Sequence, residues 1–112
     1  MLPNPPPFEQ GHTLANLSAW LGKKFGAHSP LPAPGCAALR DAISEARHVV
    51  ALLFDGLGDA QIRRLIPRGA LARHRLTRIH SVFPSSTAPA VTTLATGLPP
   101  AQHAVTGWHL WW

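Results

Sequence analysis

Cysteine and long apolar runs are both scarce in this sequence. The single cysteine, Cys36, can form no disulfide within the chain and has no partner at metal-ligand spacing, which excludes a disulfide scaffold and a zinc finger. No stretch reaches the roughly 18 uncharged apolar residues of a membrane-spanning helix, and the opening MLPNPPPFEQ lacks the basic head and apolar run of a signal peptide. If Met1 is the start of the protein, we expect it to be cytoplasmic and to have no membrane segment.

Acidic residues are also few, with 5 against 10 lysines and arginines and a net charge of +5. Six arginines fall within one stretch, namely Arg63, Arg64, Arg68, Arg73, Arg75 and Arg78. Clustered arginines can neutralise the phosphates of a nucleic acid. However, no Phe, Trp or Tyr lies among them to stack on bases, which favours a solvated helix face. A basic, non-catalytic nucleic-acid-binding fragment is therefore an alternative, and nucleic acid is not the expected partner.

The first part of the chain, residues 1–47, is predicted to be an irregular Pro-rich arm followed by accessory helices. Four apolar residues recur at helical spacing: Leu14, Leu17, Leu21 and Phe25. Thr13 is placed to cap the start of this amphipathic helix. The segment SPLPAPG then interrupts helical structure, and a second short helix is predicted around Cys36 to Ala46.

The second part, residues 48–112, has the pattern of an α/β domain. The apolar run VVALLF at 49–54, ended by Asp55 and Gly56, is typical of a strand buried on both faces within a parallel sheet. Three further elements are predicted: a helix after Gly58 that stops at Pro67 and Gly69, a strand within Leu76 to Phe83, and a helix from Thr87 to Thr96. The order β, α, β, α predicts an α/β fold of parallel strands flanked by helices.

Two residues of this second part could carry chemistry. Asp55 stands at the carboxyl end of the predicted strand, where parallel sheets bind ligands, but Asp-Gly is also a common turn. Thr87 falls just before the first turn of its helix, where unpaired amides favour a bound phosphate, but threonine is also an ordinary N-cap. Ser85 and Ser86 are rival hydroxyls. These local patterns leave both alternatives open.

The motifs around these residues occur together and in a fixed order. VVALLFDGLG is followed further along the chain by FPSSTAPAVTTLATGLPPAQHAVTG. This pair resembles the opening of the type I phosphodiesterase and nucleotide pyrophosphatase family, within the alkaline phosphatase superfamily. The resemblance covers Val49 to about Gly107. It implies a partial alkaline-phosphatase-like sandwich, of which this chain would be the amino-terminal part and too short to be the whole enzyme.

The resemblance also implies roles for particular residues. Asp55 would be a metal ligand, and Thr87 would be both a ligand and the nucleophile that forms a phosphothreonine intermediate. In the family two divalent ions, commonly zinc, occupy the site, with manganese or magnesium as alternatives. The remaining ligands would lie beyond Trp112, so we expect the 112-residue chain alone to be inactive. The Thr96 to His103 stretch matches a further family motif, in which His103 has a structural role.

The function implied is metal-dependent hydrolysis of a phosphodiester or nucleotide pyrophosphate bond in a small-molecule phosphate ester. Ala90 stands where the eukaryotic nucleotide pyrophosphatases have an asparagine that contacts the phosphoryl group, which argues against that particular activity. A phosphomonoester or phosphonate hydrolase of the same superfamily is the nearest alternative, and a non-catalytic remnant is a third. His109, beside Trp108, Trp111 and Trp112, is expected to pack rather than to bind metal. The sequence does not indicate an oligomeric state.

Overall fold

A computed structural model describes residues 10–109, and the predicted Pro-rich arm at residues 1–9 lies outside them. The described chain contains six helices: α1 (Leu14–Lys24), α2 (Ala37–Glu45), α3 (Asp59–Leu65), α4 (Ala70–Arg73), α5 (Thr87–Thr96) and α6 (Pro100–His103). Within this part of the chain, one isolated parallel bridge between Thr13 and His80 is the only strand pairing. Helices therefore build the described fold.

The start of α1 is fixed by a reciprocal pair of side-chain contacts. Thr13 is the N-cap residue, and its hydroxyl accepts a hydrogen bond from the backbone N–H of Asn16 at 3.4 Å. The Asn16 side chain in turn accepts from the backbone N–H of Thr13 at 3.1 Å. This arrangement satisfies two of the amides that a helix start leaves unpaired. The predicted start of the helix at Thr13 is confirmed.

Part of the core lies between α1 and α5, where the contact is made by small side chains, and Ile43 and Val82 are the other buried apolar residues. Ala15 and Ala19 of α1 are buried, and the Ser18 hydroxyl donates to the carbonyl oxygen of Leu94 in α5 at 2.6 Å. Gly97, with φ of 69°, ends α5 and lies so close to Ala19 that a Cβ at residue 97 would be 3.4 Å from the Ala19 Cα. Small residues allow the two helices to approach closely at this contact.

The predicted apolar face of α1 is not the one most deeply buried. Leu14, Leu17 and Leu21 are half-buried, and Phe25 is 67% exposed. The neighbouring face of alanine and serine makes the contact with α5 instead. Leucine spacing predicted the helix correctly, but close packing selected the face with the smaller side chains.

The predicted strand at 49–54 is extended but unpaired within residues 10–109, and the α/β fold stays a prediction. Val50 is 82% exposed and Leu52 is 75% exposed, and no ladder includes this run within residues 10–109. A parallel strand needs hydrogen-bonded neighbours on its edges and helices on its faces, and neither covers the run here. The second predicted strand, within 76–83, is represented only by the bridge at His80.

The contact between α5 and α6 depends on His103. Its Nδ1 atom accepts from the backbone N–H of Val105 at 3.0 Å, so the proton of the neutral ring lies on Nε2. Nε2 lies 3.0 Å from the hydroxyl of Thr93, a residue that is fully buried. The expected structural role of His103 is confirmed.

Thr93→Val is therefore expected to destabilise the protein by about 1–3 kcal/mol, because the His103 ring nitrogen loses its buried partner. Thr92→Val is the matched control on the same helix, since the Thr92 hydroxyl bonds only to the carbonyl oxygen of Ala88 in its own helix. Urea unfolding of both variants measures the difference. In a His103→Ala background the cost of Thr93→Val should fall to that of Thr92→Val, and an undiminished cost would contradict the role given to His103.

Candidate active site

Asp55 lies in a tight turn directly after the extended run 49–54. The backbone N–H of Leu57 bonds to the carbonyl oxygen of Phe54 at 3.4 Å, which places Asp55 and Gly56 at the two central positions of the turn. Gly56 has φ of 70°, a conformation that favours glycine at the second central position. The turn is thus built by Asp-Gly, as the local pattern predicts, and it leaves the Asp55 carboxylate exposed.

Thr87 is the first residue of α5, and Ser86 is the N-cap. The local alternative, in which Thr87 itself is the N-cap, is therefore wrong. Ser86 has an extended backbone, with φ of −121° and ψ of 166°, and its side chain makes no capping hydrogen bond. The Thr87 hydroxyl is left to make a contact outside its own helix.

That contact is with Asp55. The Thr87 hydroxyl donates to Oδ2 of Asp55 at 3.3 Å, across a separation of 32 residues in sequence. The pair lines a cleft of about 400 Å³, whose other polar lining residues are Ser81, Ser85 and Ser86. The expected proximity of the two side chains is confirmed, while their catalytic and metal-binding roles stay predictions.

The comparison with known families bears on this pair directly. A family model for type I phosphodiesterase / nucleotide pyrophosphatase matches residues 49–111, which is more than half of the chain. The chain belongs to this family. The match begins at the extended run that precedes Asp55 and includes Thr87, so both residues of the pair lie within it. No curated protein and no solved structure matches the chain.

Membership of the phosphodiesterase family places the protein among hydrolases of phosphate esters, with small phosphate esters as the class of substrate. Within residues 10–109, no helix is both long enough and apolar enough to cross a membrane. Ala90 lines the cleft and offers only a methyl group there, so the expected contact from an asparagine at this position is missing. The hydroxyls of Ser85 and Ser86 are the neighbouring side-chain donors.

The donor atoms of the pair are compatible with a divalent metal ion. A carboxylate and a hydroxyl oxygen 3.3 Å apart match the roughly 3 to 4 Å expected for two oxygens bound to one tetrahedral ion. Among the described residues, no group of three or more His, Cys, Asp or Glu side chains could hold an ion. A catalytic zinc ordinarily has three protein ligands, so Asp55 and Thr87 would supply only part of a site.

The histidines do not complete this site in the described chain. Both ring nitrogens of His103 already have hydrogen-bond partners, the Thr93 hydroxyl and the Val105 N–H, and His103 does not line the cleft. His109 is exposed, and the residues 111 and 112 against which it was expected to pack lie outside the described range.

Gln61 supports the site and was not recognised from the sequence. Its Oε1 atom accepts from the backbone N–H of Gly58 at 2.6 Å, and its Nε2 atom donates to the carbonyl oxygen of Gly56 at 3.4 Å. The Gln61 side chain thereby ties the Asp-Gly turn to the start of α3. A glutamine three residues after an N-cap is a known capping pattern and could have indicated this contact.

Proposed function

We propose that this chain is the amino-terminal part of a metal-dependent phosphodiesterase that works through a phosphothreonine intermediate on Thr87. The observation that carries the proposal is the 3.3 Å contact between the Thr87 hydroxyl and the Asp55 carboxylate, in a chain of the phosphodiesterase family. A structural turn and a helix cap, taken separately, would not require two residues so far apart in sequence to meet. A hydrolase that uses them together does require it.

The chemistry proposed for these residues begins with orientation of the nucleophile. Asp55 accepts the Thr87 hydrogen bond and holds the hydroxyl oxygen at the wall of the cleft. A free threonine hydroxyl is a poor nucleophile near neutral pH, and a divalent ion bound at the pair would supply the activation by lowering the hydroxyl pKa. The first amides of α5, at Thr87 and Ala88, lie at the positive end of the helix dipole and favour the negative phosphoryl group.

The reaction then proceeds in two displacements. The Thr87 oxygen forms a bond to phosphorus as the bond from phosphorus to the leaving alcohol breaks. Water next attacks phosphorus in the Thr87 ester, which still carries the second alcohol of the substrate; the phosphate monoester is released and the hydroxyl is restored. Each displacement inverts phosphorus, so the overall reaction retains its configuration.

We also propose that the complete protein has the α/β fold of the alkaline phosphatase superfamily, with residues 49–54 as one of its parallel strands. The run is apolar, extended and exposed, and the family match begins at its first residue. Within residues 10–109 no strand bridge includes the run, and the Phe54 carbonyl, which bonds to the N–H of Leu57, is its only backbone group with a hydrogen bond. In the complete protein these side chains would be buried between the sheet and its helices.

The proposal is tested by trapping the intermediate. A longer chain that carries this sequence, supplied with zinc or manganese, is mixed with a chromogenic phosphodiester and quenched in acid within one turnover. We expect peptide mass spectrometry to find one phosphoryl group on Thr87 that still carries the substrate's second ester substituent. A phosphoryl group on Ser85 or Ser86 would contradict the assignment, and faster turnover of the matching phosphomonoester would favour the monoesterase alternative.

The 112-residue chain alone is expected to show no appreciable phosphodiesterase activity with zinc or manganese. The reason is the shortage of ligands, since the described part of the chain offers Asp55 and Thr87 and no metal-binding cluster of three. Release of nitrophenol from a nitrophenyl phosphodiester measures the activity. Turnover by the purified chain that is lost in Thr87→Ala would show this expectation to be wrong.

A further inference from the structure

Ser86, the residue before Thr87, has a hydroxyl that its helix does not use. It is the N-cap of α5, but its side chain makes no capping hydrogen bond. The hydroxyl of an N-cap serine ordinarily accepts from the amide of the second or third helical residue. The third residue of α5 is Pro89, which has no N–H, so one of these two partners is missing. Among residues 10–109 the Ser86 hydroxyl has no hydrogen-bond partner.

The backbone of Ser86 is held in place, although its hydroxyl is free. The Ser86 N–H bonds to the carbonyl oxygen of Pro84 at 3.0 Å, and the Ser86 carbonyl accepts from the N–H of Ala90 at 3.2 Å. Ser85 has no such backbone bond within the described chain. Ser86 is therefore the more firmly placed of the two serines, and it lines the same cleft as Thr87.

The start of α5 offers few donors to a phosphoryl group at Thr87. The amides of Thr87 and Ala88 are unpaired within residues 10–109, but Pro89 has no N–H and the Ala90 N–H is taken by Ser86. The side chain of Ala90 adds only a methyl group to the cleft. Donors aimed at the oxygens that gain charge in the transition state are what stabilise it. A further donor beside the two amides would therefore speed the reaction.

We propose that the Ser86 hydroxyl is this donor and bonds to a non-bridging oxygen of the phosphoryl group while Thr87 attacks phosphorus. The inference rests on the proposed function, because it needs a phosphate at Thr87. It makes Ser86 a second catalytic residue, which supplies from the N-cap the contact that Ala90 cannot make. No covalent bond forms or breaks at Ser86, and its proton stays on its own oxygen.

The test compares substitutions of Ser86 in a longer chain that carries this sequence, supplied with zinc. Ser86→Ala is expected to lower kcat/KM for a nitrophenyl phosphodiester by about tenfold to a hundredfold, the effect of one hydrogen bond to a charged group. The inhibition constant of orthovanadate, an anion shaped like the transferring phosphoryl group, should rise by a similar factor. Ser86→Thr keeps the hydroxyl and should retain most of the activity and of the vanadate inhibition.

Ser86→Gly is the matched control for a capping role, because glycine suits an N-cap almost as well as serine but has no hydroxyl. We expect Ser86→Gly to lose as much activity as Ser86→Ala, and urea unfolding checks that every variant folds. Normal activity in Ser86→Gly would assign Ser86 to capping and overturn the proposal, as would unchanged kcat/KM and vanadate inhibition in Ser86→Ala. If Thr87 is not the nucleophile, no phosphoryl group appears on it, whereas the vanadate comparison still tests Ser86. The two proposals therefore fail separately.

Discussion

Thr87→Ala is expected to abolish turnover in a longer chain that carries this sequence, with a loss of about a thousandfold or more. Only a hydroxyl can form the ester intermediate, and the alanine methyl group can neither attack phosphorus nor bond to Asp55. Thr87→Ser keeps the hydroxyl and is expected to retain part of the activity. Steady-state hydrolysis of a nitrophenyl phosphodiester at saturating metal measures all three proteins.

Ser86→Ala and Ser85→Ala are the controls for this prediction. Both serines line the same cleft, and Ser86 makes no capping hydrogen bond through its side chain, so its removal should cost little stability. We expect milder effects from both. If Ser86→Ala were the inactive variant and Thr87→Ala the active one, the alignment with the family motif would be wrong by one residue.

Gly11→Ala is expected to destabilise the protein by about 3–5 kcal/mol, because it combines backbone strain with a severe clash in a packed region. Gly11 has φ of 74°, and a Cβ there would lie 2.3 Å from the carbonyl oxygen of Ala33 and 2.8 Å from the backbone nitrogen of Gly35. Both obstacles are backbone atoms and cannot rotate away. The Gly35 N–H also bonds to the Gly11 carbonyl at 2.9 Å, so relief of the clash would break this contact.

Gly26→Ala separates conformational strain from the clash. Gly26 has φ of 91°, yet a Cβ there would meet nothing within 4 Å. Gly26→Ala should lower the free energy of unfolding by only about 1–2 kcal/mol, which is the penalty of a left-handed conformation for alanine. Urea unfolding measures the free energy of unfolding of both variants. Equal losses would mean that the backbone at Gly11 is farther from Ala33 and Gly35 than the structure shows.

The helices could be predicted from the sequence because their signals are local. Thr13, Gly58 and Gly97 mark helix ends that depend on neighbouring residues only. Helices α1, α2, α3 and α5 lie where the sequence places them. The four-residue helices α4 and α6 were not predicted, and at α4 Pro67 and Gly69 were interpreted only as the end of α3. The sheet could not be settled, because a parallel strand takes its stability from neighbours that the pattern of one strand does not contain.

Local sequence patterns predicted the candidate site less completely than the helices. Local chemistry predicted a turn at Asp55 and a cap near Thr87, and neither pattern brings the residues together. Their proximity was expected from the family resemblance, which uses two ordered motifs rather than one. Gln61 was not identified as part of the site, because its contribution depends on the contact between the Asp-Gly turn and the start of α3.

The packing of α1 against α5 affects how the chain folds during synthesis. The bonded pair Ser18 and Leu94 is separated by 76 residues, so α1 leaves the ribosome long before its partner. At about 5–20 residues per second, this interval lasts roughly 4–15 s. An isolated helix of 11 residues is marginal in water, so α1 cannot persist as a stable helix during that time. Closure of the core is consequently a late and non-local event, of the kind that slows folding.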